Sequence, residues 1–197
     1  STLDRSSAAS DVYKRQGENP NKAVRAFTKP FHEAGIQTHM LDRGLNGLRM
    51  YPVPADVRRL MYKVKHAQGV DITRIFCGLN EVRNIIPSIR YALEAGMIPQ
   101  ATLCITFSPV HTVEYYTAIA ERLIEAGAPE ICLKDMAGVG RPEMLGRLTK
   151  AIKERHPEII IQYHGHSGPG LSMASILEVC ENGADIIDVA MEPMSWG

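Results

Sequence analysis

Excess charge of either sign is missing from this sequence: 22 lysines and arginines stand against 22 aspartates and glutamates. That balance leaves no electrostatic footprint for nucleic acid or an anionic membrane surface. No apolar run approaches the roughly 20 residues that a helix needs to cross a bilayer. The start lacks the charged, apolar and cleavage regions of a secretory signal, so the expected location is cytoplasmic. Cysteine is scarce, and Cys77, Cys104, Cys132 and Cys180 lie in apolar runs without C-x-x-C spacing. They read as reduced, buried thiols. No G-x-G-x-x-G follows a strand, so a dinucleotide is not indicated. What remains is 45% hydrophobic and 22% charged over 197 residues, which suits one globular domain with a real core.

The first sixteen residues, Ser1 to Gln16, stand apart from that domain. They are polar, rich in serine and without periodicity, and "DVYKRQ" looks like a translated sequencing adapter. We exclude them from fold reasoning; the alternative is a disordered natural tail. On the adapter reading, the domain is residues 17–197 and continues upstream of this chain.

Beyond Gly17 a pattern recurs about every 30 residues. Helix-like runs end at Ala34-Gly35, Gln68-Gly69, Ala95-Gly96, Ala126-Gly127 and Asn182-Gly183, and once at His156-Pro157. Glycine closes a helix in the left-handed conformation, and proline stops one. The apolar strands "IQTHML", "ITRIFC", "ATLCITF", "EICLKDM", "IIIQYH" and "IIDVAM" follow these stops. Between them, four stripes have helical spacing: Val57, Leu60, Met61 and Val64; Val82, Ile85, Ile86, Ile89 and Leu93; Tyr116, Ile119, Ala120 and Leu123; Met173, Ile176, Leu177 and Cys180. Each predicts a helix buried on that face. Strict alternation predicts a parallel sheet, either a (β/α)₈ barrel lacking two strands or an open doubly wound sheet.

The strand ends favour the barrel. Arg43 and Asn46, Asn80, Ser108 and His111, Lys134 and Asp135, His164 and His166, and Asp188 each close a strand. Only a barrel gathers all strand ends on one face. His164 and His166 are two apart and leave their strand on the same side, as two ligands of one metal would. Lys134 follows the apolar "EICL", where a lone ammonium is costly. Three solutions stay open: an ion pair with an acid such as Asp135, a lowered pKa as in Schiff-base enzymes, or conversion by CO₂ to a metal-binding carbamate.

Six segments carry a resemblance: "RGLN" (43–46), "RIFCGLNEVRN" (74–84), "FSPVHT" (107–112), "ICLKDMAG" (131–138), "HGHSGPG" (164–170) and "GADIIDVAMEPMS" (183–195). Together they resemble the carboxyltransferase domain of biotin-dependent enzymes: pyruvate carboxylase, the oxaloacetate decarboxylase α subunit and methylmalonyl-CoA carboxytransferase. The resemblance implies a (β/α)₈ TIM barrel without its first two strands and last helix. It also implies CO₂ transfer between carboxybiotin and a 2-oxo acid such as pyruvate or oxaloacetate. Lys134 would match the carbamylated lysine, and with His164 and His166 would hold Zn²⁺, Mn²⁺ or Co²⁺. Arg43 would grip the substrate carboxylate, with Asn46 and Tyr51 also at the substrate. The implied partners are a biotin carrier domain, a biotin carboxylase domain or subunit, and further copies in a homo-oligomer.

Departures from the pattern also bear on the reading. A first-strand aspartate that completes the metal site, with an arginine and a glutamine beside it, is not in this chain, and the proton-passing threonine would align just after Gly197. The fragment is therefore expected to be inactive and not to close a stable barrel alone. Cys77 stands where the family usually has aspartate, Asp42 where it has leucine, and Met50-Tyr51 is a shifted G-Y. The alternative is an acyl-CoA lyase or Claisen-condensing synthase, which shares the barrel and H-x-H but not K-D-M-A-G. A non-catalytic barrel used for assembly is a third reading.

Overall fold

The computed structural model of the chain describes residues 17 and 19–190. The expectation for Ser1 to Gln16, the end of the last quoted segment and the alignment beyond Gly197 fall outside the described residues. Among the described residues six helices and six strands alternate: α1 (Pro20–Glu33), β1 (His39–Arg43), α2 (Ala55–Ala67), β2 (Ile72–Phe76), α3 (Val82–Glu94), β3 (Ile98–Cys104), α4 (Val113–Glu125), β4 (Glu130–Asp135), α5 (Pro142–Arg155), β5 (Ile160–Gly165), α6 (Ser172–Glu181) and β6 (Ile186–Ile187). No helix among the described residues is long and apolar enough to cross a membrane.

Local chemistry explains the element ends. Asn19 caps α1, its side-chain oxygen accepting from the backbone N–H of Asn21 and Lys22, and Thr112 does the same for α4 through Tyr115. All five glycines expected to close helices have positive φ, from 72° at Gly35 to 101° at Gly127.

The strands form one parallel sheet in chain order, β1 to β6. β1 and β6 are its edges, so the ring is not closed among the described residues. The sheet is nevertheless strongly curled. Arg74 on β2 and Asp188, just past β6, meet at 2.6 Å, although four strand intervals separate them. In a flat sheet that is about 19 Å, far beyond an arginine's reach. Curvature of this degree belongs to a barrel wall, as expected, and not to an open doubly wound sheet.

The outer face of the sheet carries Ile75, Ala101, Leu103, Ile131, Leu133, Ile161 and Tyr163, all buried against helices. Of the expected stripes, Tyr116, Ile119, Ala120 and Leu123 lie buried as predicted. Two stripes do not. On α2, Val57, Leu60 and Val64 are exposed while Arg58 and Tyr62 are buried. On α6, Met173, Leu177 and Cys180 are exposed, and Ser172, Ser175 and Val179 face the core. Periodicity says which residues share a face, not which face meets the sheet. The buried-thiol expectation holds for Cys104 and Cys132, whereas Cys77 is half-buried and Cys180 exposed. β1 and β3 also shift: β1 begins at His39, and β3 runs from Ile98 to Cys104, because Pro99 reads as a boundary but lies inside the strand.

α2 turns Arg58 inward for a reason. Arg58 Nη1 and Ser88 Oγ donate to the Gly44 carbonyl at 2.7 and 2.6 Å, fixing the turn that follows β1. Beside them Asp42 is buried, with Thr73 donating to Oδ2 at 2.6 Å and Oδ1 left without a partner. Burial pushes its carboxyl up to about 6, despite the hydrogen bond from Thr73. Between about pH 4 and pH 6 the unfolded chain ionises Asp42 and the folded chain does not, so stability falls as pH rises through that window and is then level. Asp42→Asn should flatten this slope and stabilise the protein at pH 7 by about 1–3 kcal/mol, measured by urea unfolding at pH 4.5 and pH 7. An unchanged slope would show that Asp42 is not the titrating group.

Candidate active site

The inner face of the sheet is polar. β4 turns Glu130, Cys132 and Lys134 inward, β5 contributes Gln162 and His164, and His166 follows one step past the strand end. His164 Nε2 and His166 Nε2 converge to 3.1 Å. Two imidazoles sharing one ion at about 2.0–2.1 Å have a separation of this order. His164 Nδ1 lies 2.6 Å from Asp188 Oδ2. A carboxylate there accepts the Nδ1–H and leaves the Nε2 lone pair free, the arrangement that prepares histidine as a ligand. Burial would raise the Asp188 carboxyl, but hydrogen bonds from His164 and Arg74 outweigh it and hold the group well below the usual carboxylate range. Burial and the neighbouring His164 lower His166, which favours its neutral imidazole.

Lys134 is 5% exposed and shares a cavity of about 290 Å³ with His39, Arg74, His164 and Asp188. Burial is the main cause that lowers its amine, and Arg74 adds to it. The ion-pair solution fails on geometry. Neighbours on a strand point to opposite sides, and the Asp135 carboxylate is taken by the backbone N–H of Val139 at 3.0 Å and Gly140 at 2.8 Å. Lys134 enters no ion pair among the described residues. Its Nζ instead lies 5.9 Å from the Phe76 ring centre.

Asp135 works for the histidines. Its carbonyl accepts from the His166 N–H at 3.1 Å and the Gly138 N–H at 3.3 Å, so the two loops are joined at their roots. Gly138 has φ +67°, and a Cβ there would sit 2.3 Å from the His166 carbonyl oxygen. Only glycine lets the K-D-M-A-G loop lie against the H-G-H loop.

Arg43 and Asn46 lie in a neighbouring cavity of about 250 Å³, with Gly44, Phe76 and Cys77. The Arg43 guanidinium is also 5.9 Å from the Phe76 ring centre, so it and Lys134 share one aromatic neighbour. Gly44 is required here because a Cβ would fall 2.3 Å from the Asn84 carbonyl oxygen. The Asn46 amide donates to the Met50 carbonyl at 3.1 Å and so shapes its own loop. Tyr51 is 76% exposed and lines neither cavity. A larger cavity of about 600 Å³ lies over Phe107 and Arg141, and none of the expected site residues lines it.

The residues present fit a divalent metal in part. Two imidazoles converge, and among the described residues no group of three or more His, Cys, Asp or Glu could hold an ion. A third donor from this cavity would have to be Lys134 in a deprotonated or carboxylated form, because an ammonium has no lone pair. Two residues were missed from the sequence, Arg74 and His39. Arg74 interrupts "ITRIF" as Lys134 interrupts "EICLKD", and His39 shares the period-two face of Arg43; both signals were readable.

Residues 77–194 match the HMGL-like family. A subunit of the pyruvate carboxylase of Methanocaldococcus jannaschii is 38% identical over 180 residues, 91% of this chain and 31% of that protein. The methylmalonyl-CoA carboxyltransferase 5S subunit of Propionibacterium freudenreichii subsp. shermanii is 35% identical over 181 residues, 91% of this chain and 35% of that protein. Among solved structures, the carboxyl transferase domain of Rhizobium etli pyruvate carboxylase with pyruvate superposes with a TM-score of 0.88 at 31% identity, covering 95% of this chain and 32% of that one. The chain thus spans about a third of the length of these relatives.

The Asp135 carboxylate accepts from the Val139 and Gly140 N–H groups, so Asp135→Asn should leave one of them facing an amide donor and cost about 1–3 kcal/mol. Urea unfolding at neutral pH measures this; a change below about 0.5 kcal/mol would mean that other contacts hold the loop after β4.

Proposed function

The chain belongs to the HMGL-like family, and from that premise we propose that it forms the carboxyltransferase site of a biotin-dependent enzyme, moving CO₂ between carboxybiotin and pyruvate or oxaloacetate. The observation that carries the reading is the convergence of His164 and His166 at 3.1 Å beside a buried lysine that has no carboxylate partner among the described residues. The names of the relatives, pyruvate carboxylase and methylmalonyl-CoA carboxyltransferase, support the same class. An acyl-CoA lyase would use the histidines but has no task for Lys134.

Each side chain has a role in this reading. The Arg43 fork takes the 2-oxo acid's carboxylate through two N–H groups, and Asn46 and Gly44 shape its cavity. Lys134, its amine favoured neutral by burial, adds its nitrogen lone pair to the carbon of CO₂ and loses a proton to solvent, giving an N-carboxylate. That anion, His164 and His166 would hold Zn²⁺, Mn²⁺ or Co²⁺, which when bound supplies a Lewis acid for the keto oxygen. Biotin on its carrier domain brings the CO₂ in or takes it away. Phe76 gives Arg43 an aromatic neighbour that tolerates its charge without competing for the substrate, and its ring lies equally near Lys134. A biotin carboxylase partner and a homo-oligomer follow from the same class. Cytoplasmic location stays our reading, although relatives include mitochondrial pyruvate carboxylases.

Two measurements on the full-length protein test this: bound metal by elemental analysis, and biotin-stimulated oxaloacetate decarboxylation. His164→Ala and His166→Ala should each remove the metal and lower the rate by at least about 100-fold, on the scale of losing an electrostatic stabiliser of the transition state. Metal-free wild type with full activity would sink the proposal. Arg43→Lys should keep the metal and raise KM for oxaloacetate roughly 10- to 100-fold, the worth of a charged hydrogen bond at about 1.5–3 kcal/mol. An unchanged KM would take the carboxylate away from Arg43.

A further inference from the structure

Arg74 has no role in the chemistry above, yet it is the most elaborately held cation on the inner face of the sheet. It is 6% exposed. Nη1 and Nη2 donate to the two oxygens of Asp188 at 2.6 and 3.2 Å, and Nε donates to Gln100 Oε1 at 2.6 Å. Gln100 passes the contact on, donating to Gln162 Oε1 at 2.6 Å and Glu130 Oε2 at 2.8 Å. Gln162 donates to Asp188 Oδ1. Arg74, Gln100, Gln162 and Asp188 therefore close a ring of side chains drawn from β2, β3, β5 and the end of β6.

His164 meets this ring at one atom. Its Nδ1 is 2.6 Å from Asp188 Oδ2 and 3.4 Å from Arg74 Nη1. Arg74 can only donate and the carboxylate can only accept, so the two neighbours demand opposite tautomers. The carboxylate is closer and charged, and a bare Nδ1 lone pair at 2.6 Å would repel it. The Nδ1–H tautomer wins, which leaves Nε2 as an acceptor for the His166 Nε2–H at 3.1 Å when no ion lies between them.

We propose that Arg74 is a positioning residue: by gripping both oxygens of Asp188 it holds His164 in the Nδ1–H tautomer with Nε2 turned toward His166. The metal part of this inference rests on the reading in the previous subsection; the tautomer part does not. A lysine could supply the charge but not the fork that fixes the plane of the carboxylate. Without the fork only Gln162 and His164 itself hold Asp188, its plane is less firmly set, and both tautomers of His164 become populated.

The test uses the full chain with Arg74→Met, Arg74→Lys and a remote core variant, Leu148→Ala. Imidazole ¹⁵N NMR of the metal-free protein should show protonated Nδ1 for His164 in wild type, a mixture of tautomers in Arg74→Met, and a smaller departure in Arg74→Lys. Zn²⁺ affinity by chelator competition should fall roughly 10- to 100-fold in Arg74→Met, the usual effect of removing an outer partner of a ligand. Arg74→Lys should lie between, and Leu148→Ala, although less stable, should bind Zn²⁺ like wild type. A single Nδ1–H tautomer in folded Arg74→Met, or wild-type Zn²⁺ affinity in it, overturns the proposal. If Leu148→Ala loses as much affinity as Arg74→Met, the role of Arg74 is general stability and the proposal also fails. Wild type that takes up no Zn²⁺ defeats the metal reading, and the tautomer comparison still decides for or against Arg74.

Discussion

The carboxylate of Asp188 is shared between a guanidinium on the second strand and an imidazole on the fifth, and the shape of the sheet follows from it. Residues 114 apart in sequence meet at 2.6 Å, which requires the wall to curl. Desolvating two charges is expensive, and pairing offsets it only when the remaining donors and acceptors are also satisfied. Here they are, by Gln100, Gln162 and Glu130. An aliphatic interior could pack as tightly, but it would provide no fixed anion to orient a histidine. Removing one partner of such a network leaves an unpaired buried charge, so the ring acts as a unit.

Strand pleating divides labour between adjacent residues. Lys134 and Asp135 look like a salt bridge on paper, yet one faces the cavity and the other the scaffold. Arg43 and Asp42 repeat the division: the arginine enters the neighbouring cavity while the aspartate is buried behind it with Thr73. Each of these two cations therefore has a structural neighbour one residue away that pins the backbone beneath it. The glycines complete this logic, since Gly44 and Gly138 lie where another chain segment passes too close for any Cβ.

Period and punctuation made much of this legible in the sequence. The helix-closing glycines, the strict alternation of elements and the inward pairing of His164 with His166 were readable because each follows from local geometry. The faces of α2 and α6 were not. Their apolar stripes have the right spacing, but what turns a helix is the partner it meets, and Arg58 is drawn inward by the Gly44 carbonyl. The role of Asp135 was hidden for the same reason: its partners, the N–H groups of Val139 and Gly140, are backbone atoms that a string of residue names does not display. Arg74 carried a visible signal, a charge inside an apolar strand, but its meaning depended on Asp188 arriving from the far side of the sheet. Tyr51, carried by likeness alone, lies exposed.

Phe76 neighbours one basic side chain from each of the two cavities. Arg43 and Lys134 each lie 5.9 Å from its ring centre, and neither has a carboxylate partner among the described residues. A protonated Lys134, largely withdrawn from solvent, and Arg43 beside one aromatic ring would repel each other more than they would in water. The arrangement is relieved by an anion at either cation. A substrate carboxylate would neutralise Arg43, and carboxylation of Lys134 would convert the second cation into an anion. The first is a binding event and the second a covalent one, but both answer the same electrostatic demand.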